Sequence, residues 1–130
     1  MPHPLDARYI LAAERKLGAT LPDSYRHAMM RANGGAVATD DDTWWLYPIA
    51  DDSDSQRFAR TWADIVVETQ ACRELPGFPD DAVAIAHNSA GDFLLFRRRG
   101  DRFGPEVYEW LHEEREVYKV EADFGLLERE

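Results

Sequence analysis

The sequence predicts an α+β fold, an antiparallel twisted sheet packed against N-terminal and central helices in one domain spanning residues 1–130. Three observations predict it. Apolar residues recur at helical spacing through most of the first 72 positions. After the Leu75-Pro76-Gly77-Phe78-Pro79 break the pattern switches to short strands. Parallel βαβ units would instead interleave the two types along the chain. A chain of 130 residues can bury roughly two-thirds of its unfolded surface, so one hydrophobic core suffices without staples.

The first helix follows from Leu5, Tyr9, Ile10, Ala13 and Leu17, with Gly18 where a left-handed stop residue belongs. In the second, Pro22 takes a first-turn position and Leu21, Tyr25, Ala28, Met29 and Ala32 form the apolar stripe. Asn33-Gly34-Gly35 ends it. The β-branched and aromatic run Thr43 to Ile49 reads as a strand bounded by Pro48. From an N-cap at Ser53, the residues Phe58, Trp62, Ile65, Val66, Thr69 and Cys72 predict one continuous third helix. Strands are expected over Ala82 to His87, Asp92 to Arg98, Glu106 to Leu111 and Glu116 to Val120. Asn88-Ser89-Ala90-Gly91 suits a tight hairpin between the first two of these. Phe124 and Leu127, three apart, suggest a small closing helix within Ala122 to Arg129.

Charge and composition narrow the function classes. With 25 acidic and 15 basic residues, the formal charge is −10. Such a field repels phosphate backbones and anionic lipid, which call for clustered Lys and Arg, so direct nucleic-acid or membrane binding is not expected. A basic protein would be attracted. No apolar run approaches the roughly 20 residues of a membrane span, and the N-terminal segment lacks a signal-peptide pattern. Cys72 is the only cysteine, so there is no internal disulfide, and a reducing cytoplasm fits.

The ordered landmarks resemble a known family. Leu17-Gly18, Leu21-Pro22-x-x-Tyr25 and Asn33-Gly34-Gly35 are followed by Phe78-Pro79, Ala84-Ile85-Ala86 and Gly91-Asp92. Val107-Tyr108-Glu109-Trp110, His112-Glu113 and Ala122-Asp123-Phe124 complete the set. Together they are similar to the SUKH superfamily, the group that includes fungal cell-wall assembly regulators. The resemblance runs from about Ile10 to Leu127 and is weakest between Val37 and Ser55. It implies an α+β scaffold and no known shared catalytic residues; no cofactor is expected. In bacteria it implies service as an antidote to nuclease or other toxins. Among the landmarks, Gly18, Gly34, Gly35, Pro22 and Gly91 are turn and helix-start residues, which perform no chemistry.

The candidate sites are assessed beside their plainer readings. Asp40, Asp41 and Asp42 with Asp51, Asp52 and Asp54 resemble a metal-ligand run, but they lack the Asp-x-Asp-x-Asp-Gly spacing and terminal glutamate of a calcium loop. A solvated or partner-facing acidic loop is the better reading. Alternation sends Trp44 and Trp45 to opposite faces, one into the core and one to the surface as an interface anchor; core packing of both is the alternative. Cys72, His87 and His112 supply the only obvious nucleophile or base, yet Cys72 sits on an apolar stripe where burial makes it inert. Arg97-Arg98-Arg99 is flanked by Asp92 and Asp101 and reads as a neutralised strand end. The sequence therefore predicts a non-enzymatic protein that binds a basic toxin through Asp40, Asp41, Asp42, Asp51, Asp52 and Asp54, with Trp44 or Trp45 as anchor. Glu113, Glu114 and Glu116 form an alternative patch, and a regulatory interaction module is the alternative role.

Overall fold

The computed structural model describes residues 2–130. Helix α1 (Ala7–Leu17) is capped by Asp6, whose carboxylate accepts the Arg8 N–H at 2.9 Å, and it ends at Gly18 with φ 76°. Pro22 precedes α2 (Asp23–Arg31), its missing N–H being one that no helical carbonyl would have met. Strands β1 (Ala36–Ala38) and β2 (Thr43–Leu46) follow, then α3 (Ser55–Thr61) and α4 (Ile65–Cys72). The meander comprises β3 (Ala82–His87), β4 (Phe93–Arg99), β5 (Arg102–Phe103), β6 (Val107–Leu111) and β7 (Glu116–Glu121). A 3-10 turn (Phe124–Leu126) and β8 (Glu128–Arg129) close the chain.

The strands form one antiparallel sheet in the order β7-β6-β4-β3-β2-β1-β8, with β5 paired to the end of β4. The sheet curls until the segment Ala38 to Asp40 and β7 residues Val120 and Glu121 line a common crevice. Inside the curl, Ile10, Tyr25, Met29, Trp44, Ile65, Leu94, Phe96, Val107 and Phe124 form the main core. Tyr25 meets Phe96 and Phe124 edge-on, with ring centroids 5.2 and 5.1 Å apart. A smaller cluster of Cys72, Phe78, Ala82, Ala84, Leu95 and Trp110 covers the opposite face. Both faces are thus packed, which explains why β3 is buried at five successive residues and shows no alternation.

The structure corrects the expected third helix. It is two helices, because the Asp64 carboxylate accepts N–H bonds from both Val66 and Val67 and starts α4 afresh. The α3 cap is Asp54, one residue after Ser53, and accepts the Arg57 N–H at 2.8 Å. Phe58 and Trp62, assigned to the apolar stripe, are 52% and 61% exposed. Thr61 is the α3 residue that turns inward, bonding to the Arg57 carbonyl and the Asp51 N–H. The closing segment gives a single 3-10 turn followed by a strand. Strands β1, β5 and β8, of two or three residues each, were not expected from the sequence.

The strand arginines act as structural ties. Arg97 pairs with Asp81 at 3.1 Å and Arg99 with Glu106 at 2.8 Å. Arg98 donates to the Leu17 and Gly18 carbonyls at the end of α1. Arg129 of β8 donates to the carbonyls of Ala28, Ala32 and Gly34 at the end of α2, so the last strand caps the second helix. Burial lowers the Arg129 guanidinium pKa, yet it stays charged, as arginine does in proteins, and donates to three carbonyls. Replacing Arg129 with methionine, which keeps much of the stem but no donor, is expected to lower unfolding free energy by about 2 kcal/mol. Urea denaturation checks this.

Candidate protein-binding site

Three β-turns lie at one end of the sheet, and a buried amide lashes them together. Asn88, in the β3–β4 hairpin, accepts the N–H groups of Ala90 and Asp92 on its Oδ1. Its Nδ2 donates to Asp42 Oδ2 at 2.8 Å and to Asp92 Oδ2 at 3.2 Å. Asp42 belongs to the β1–β2 turn, where its other oxygen takes the Thr43 N–H at 2.8 Å. Asp92 reaches the β6–β7 turn, accepting the His112 N–H and contacting His112 Nδ1 at 2.7 Å. Partial burial pushes the Asp92 carboxyl upward, but the His112 and Asn88 donors outweigh it and hold it below the usual carboxylate range.

This lashing concentrates negative charge. Glu109 of β6 is half-buried at the same end. Burial first, then the carboxylates of Asp41, Asp92, Asp42 and Glu114, push its pKa up. Asp41 and, in the β6–β7 turn, Glu114 are exposed, as are their chain neighbours Asp40 and Glu113. Two patches that are remote in sequence, Asp40–Asp42 and Glu113–Glu114, therefore meet on one surface.

Glu109 carries a stability cost that can be tested. A carboxyl whose folded pKa exceeds its unfolded value makes the native state less stable as pH rises between the two values. Glu109→Gln is therefore expected to stabilise the protein at pH 7. The gain should shrink towards zero as pH falls to about 4, where the unfolded carboxyl also takes up its proton. Urea titrations of both proteins across that window measure it.

The remaining aspartates lie beyond the far end of β2. Asp51 is buried, its Oδ1 accepting the Ser53 N–H at 3.0 Å and its Oδ2 lying 3.9 Å from Arg57. Asp54 is the α3 cap, and Asp52 faces a hollow that also contains Arg8 and Lys16 of α1. The structure thus groups Asp40, Asp41 and Asp42 and sets Asp51, Asp52 and Asp54 apart from them.

The tryptophans divide as alternation requires. Trp44 is 1% exposed inside the curl, where its indole N–H donates to Thr39 Oγ1 at 3.0 Å. Trp45 is 46% exposed on the outer face. It pairs with His87, which pairs with Phe93, which pairs with Trp110, giving an aromatic row across β2, β3, β4 and β6. His87 also stacks on Tyr47 at 5.1 Å.

The residues with nucleophile or base chemistry are scattered. Cys72 is buried and its thiol is pushed up to about 12 by burial and the nearby Glu68. His87 lies among aromatic rings, and His112 is bound to Asp92. Among the described residues, no group of three or more His, Cys, Asp and Glu side chains is placed to hold a metal ion. No helix among them is long and apolar enough to cross a membrane.

Sequence reasoning passed over Asn88, Asp92 and Glu109 as members of this surface. Glu109 carried a signal, since it lies two residues after Val107 in β6 and strand alternation directs both to one face. A carboxylate there interrupts an otherwise inward-facing apolar pattern.

No curated protein matches the sequence. A family model, described as the SMI1 / KNR4 family (SUKH-1), matches residues 4–127. That match spans both halves of the structure, from the residues ahead of α1 to the segment between the 3-10 turn and β8. The chain belongs to the SMI1/KNR4 family, the SUKH-1 group.

Proposed function

We propose that this chain is an immunity protein, a binder without catalytic activity, that neutralises a cognate bacterial toxin by covering a cationic surface with the acidic turn end of its sheet. The observation that carries this reading is Glu109. Its carboxyl is held among Asp41, Asp42, Asp92 and Glu114 on a surface that the Asn88 and Asp92 bonds make rigid. A cluster of like charges opposes folding, and a docking surface for a basic partner is where such a cost is offset by function. Rigidity adds to this, because a preorganised surface loses little entropy on binding. Family membership supports the class of function. A nuclease-type effector fits the charge, because an enzyme that attracts phosphate presents a cationic groove. The cytoplasm, where such a toxin would act on the producing cell, is the corresponding location.

Co-expression tests the proposal. The product of a gene adjacent to this one is expected to arrest growth when expressed alone. It should lose that effect when this chain is co-expressed, and the two purified proteins should bind directly. Repeated absence of rescue would favour a regulatory interaction module, the role associated with the cell-wall regulators of the wider group. Turnover of a substrate by the purified domain, lost on changing His87 or His112, would make it an enzyme.

A further inference from the structure

In this acidic protein two arginines of α3 open onto a cleft. It has a volume of about 460 Å³ and lies between the outer side of β1–β2 and helix α3. Ala36, Leu46 and the exposed Trp45 indole line it from the sheet; Arg57, Arg60 and Thr61 line it from the helix; His3 and Asp51 complete the polar edge. The volume falls within the range of specific ligand pockets, roughly 300–1,000 Å³.

The state of its arginines points to an occupant. Arg97 and Arg99 are tied to carboxylates by bonds of 3.1 and 2.8 Å, and Arg98 and Arg129 to helix-end carbonyls. Arg57 and Arg60, three residues apart on α3, are held more loosely. Arg57 lies 3.9 Å from both Asp51 and Asp54, at the outer limit of an ion pair, and Arg60 contacts His3 Nε2 at 3.0 Å. Their planar guanidinium donors open beside a flat indole that is 46% exposed. Guanidinium next to aromatic surface selects a carboxylate joined to a flat apolar body.

We propose that this cleft docks a peptide segment of a partner protein in which an acidic side chain stands next to an aromatic one. The acid pairs with Arg60 and Arg57 while the aromatic ring packs on Trp45. This contact is separate from the acidic turn end and opposite to it in charge. A partner meeting both would be fixed in orientation as well as attracted.

The test needs no toxin. The full chain, labelled with ¹⁵N, is titrated with the capped tetrapeptide acetyl-Gly-Phe-Glu-Gly-amide and with its Phe-Gln analogue. The acidic peptide is expected to move the Trp45 indole signal and the Ala36 and Leu46 amides, leaving the buried Trp44 indole in place. Affinity should fall about tenfold for the Phe-Gln analogue, and likewise for the acidic peptide on Arg60→Gln. Arg60→Gln is the chosen variant because, among the described residues, the Arg60 side chain makes its polar contact with His3, and an unchanged spectrum of the free variant verifies its fold. Equal binding of both peptides, shifts centred elsewhere, or no shifts at millimolar peptide would overturn the proposal. Phenylacetate binding as tightly as the acidic peptide would reassign the cleft to small-molecule acids and would equally overturn it. Because toxin rescue plays no part, failure here leaves the immunity reading intact, and failure of rescue leaves this one intact.

Discussion

Trp44→Ala is expected to lower unfolding free energy by about 3–5 kcal/mol, whereas Trp45→Ala, one residue away, should change it by no more than about 0.5 kcal/mol. Trp44 is fully enclosed in the main core, and β1 residue Val37 is its cross-strand partner. Removing the indole leaves a cavity that the curled sheet cannot collapse without breaking the β1–β2 register, and it abandons Thr39 Oγ1 as an acceptor. Domains of this size are commonly stable by only 5–15 kcal/mol, so the expected loss is a large fraction of the total. The Trp45 ring is half in water already and pairs along the sheet with His87, so its removal opens a surface rather than a void. Urea unfolding of the two variants, followed by circular dichroism, separates these outcomes. Comparable destabilisation by both would mean that the Trp45 end of the aromatic row is part of the core.

Much of the scaffold was legible because its signals are local. Gly18, Pro22 and the glycines after Asn33 are backbone requirements, and each appears where the structure needs it. Strand β3 matched its expected limits because proline and glycine precede it and a hairpin turn follows. The third helix failed for a related reason. Phe58 and Trp62 satisfy helical periodicity, but periodicity cannot report that Asp64 accepts two N–H bonds at a new helix start, nor that both rings face water. Strands β1, β5 and β8 are too short to show alternation and exist only through their neighbours.

The acidic surface was half legible for a different physical reason. Asp40 to Asp42 announce themselves as a run, but their alignment with Glu109 and Glu114 depends on strand order and on the Asn88 bonds, which join positions 46 residues apart. Likewise, no local pattern marks Arg98 and Arg129 as helix caps, because each acts on a helix about 80 to 100 residues away in the chain. Charge composition gives the sign of a partner. Only topology decides which of the carboxylates share a surface.

That distinction fixes the second large effect. Converting Asp40, Asp41, Glu109, Glu113 and Glu114 to their amides halves the formal charge of −10 and leaves Asp42 and Asp92, the residues that hold the turns together, untouched. Association with the partner identified by growth rescue should slow by about 10- to 100-fold at low salt, because steering by opposed fields governs the encounter rate. Raising the salt should slow the unmodified protein towards the variant, as the screening length contracts to about 8 Å at physiological ionic strength. Dissociation should change less, since exposed rim charges act mainly before contact. The paired control is Asp51→Asn, which alters a buried carboxylate beyond the far end of β2. It should weaken folding while leaving association nearly unchanged. Stopped-flow association across a salt series distinguishes the two. If the five-residue variant binds as fast as the unmodified protein, docking lies elsewhere on the molecule. If Asp51→Asn slows association as strongly, the far loop rather than the turn end carries the steering charge.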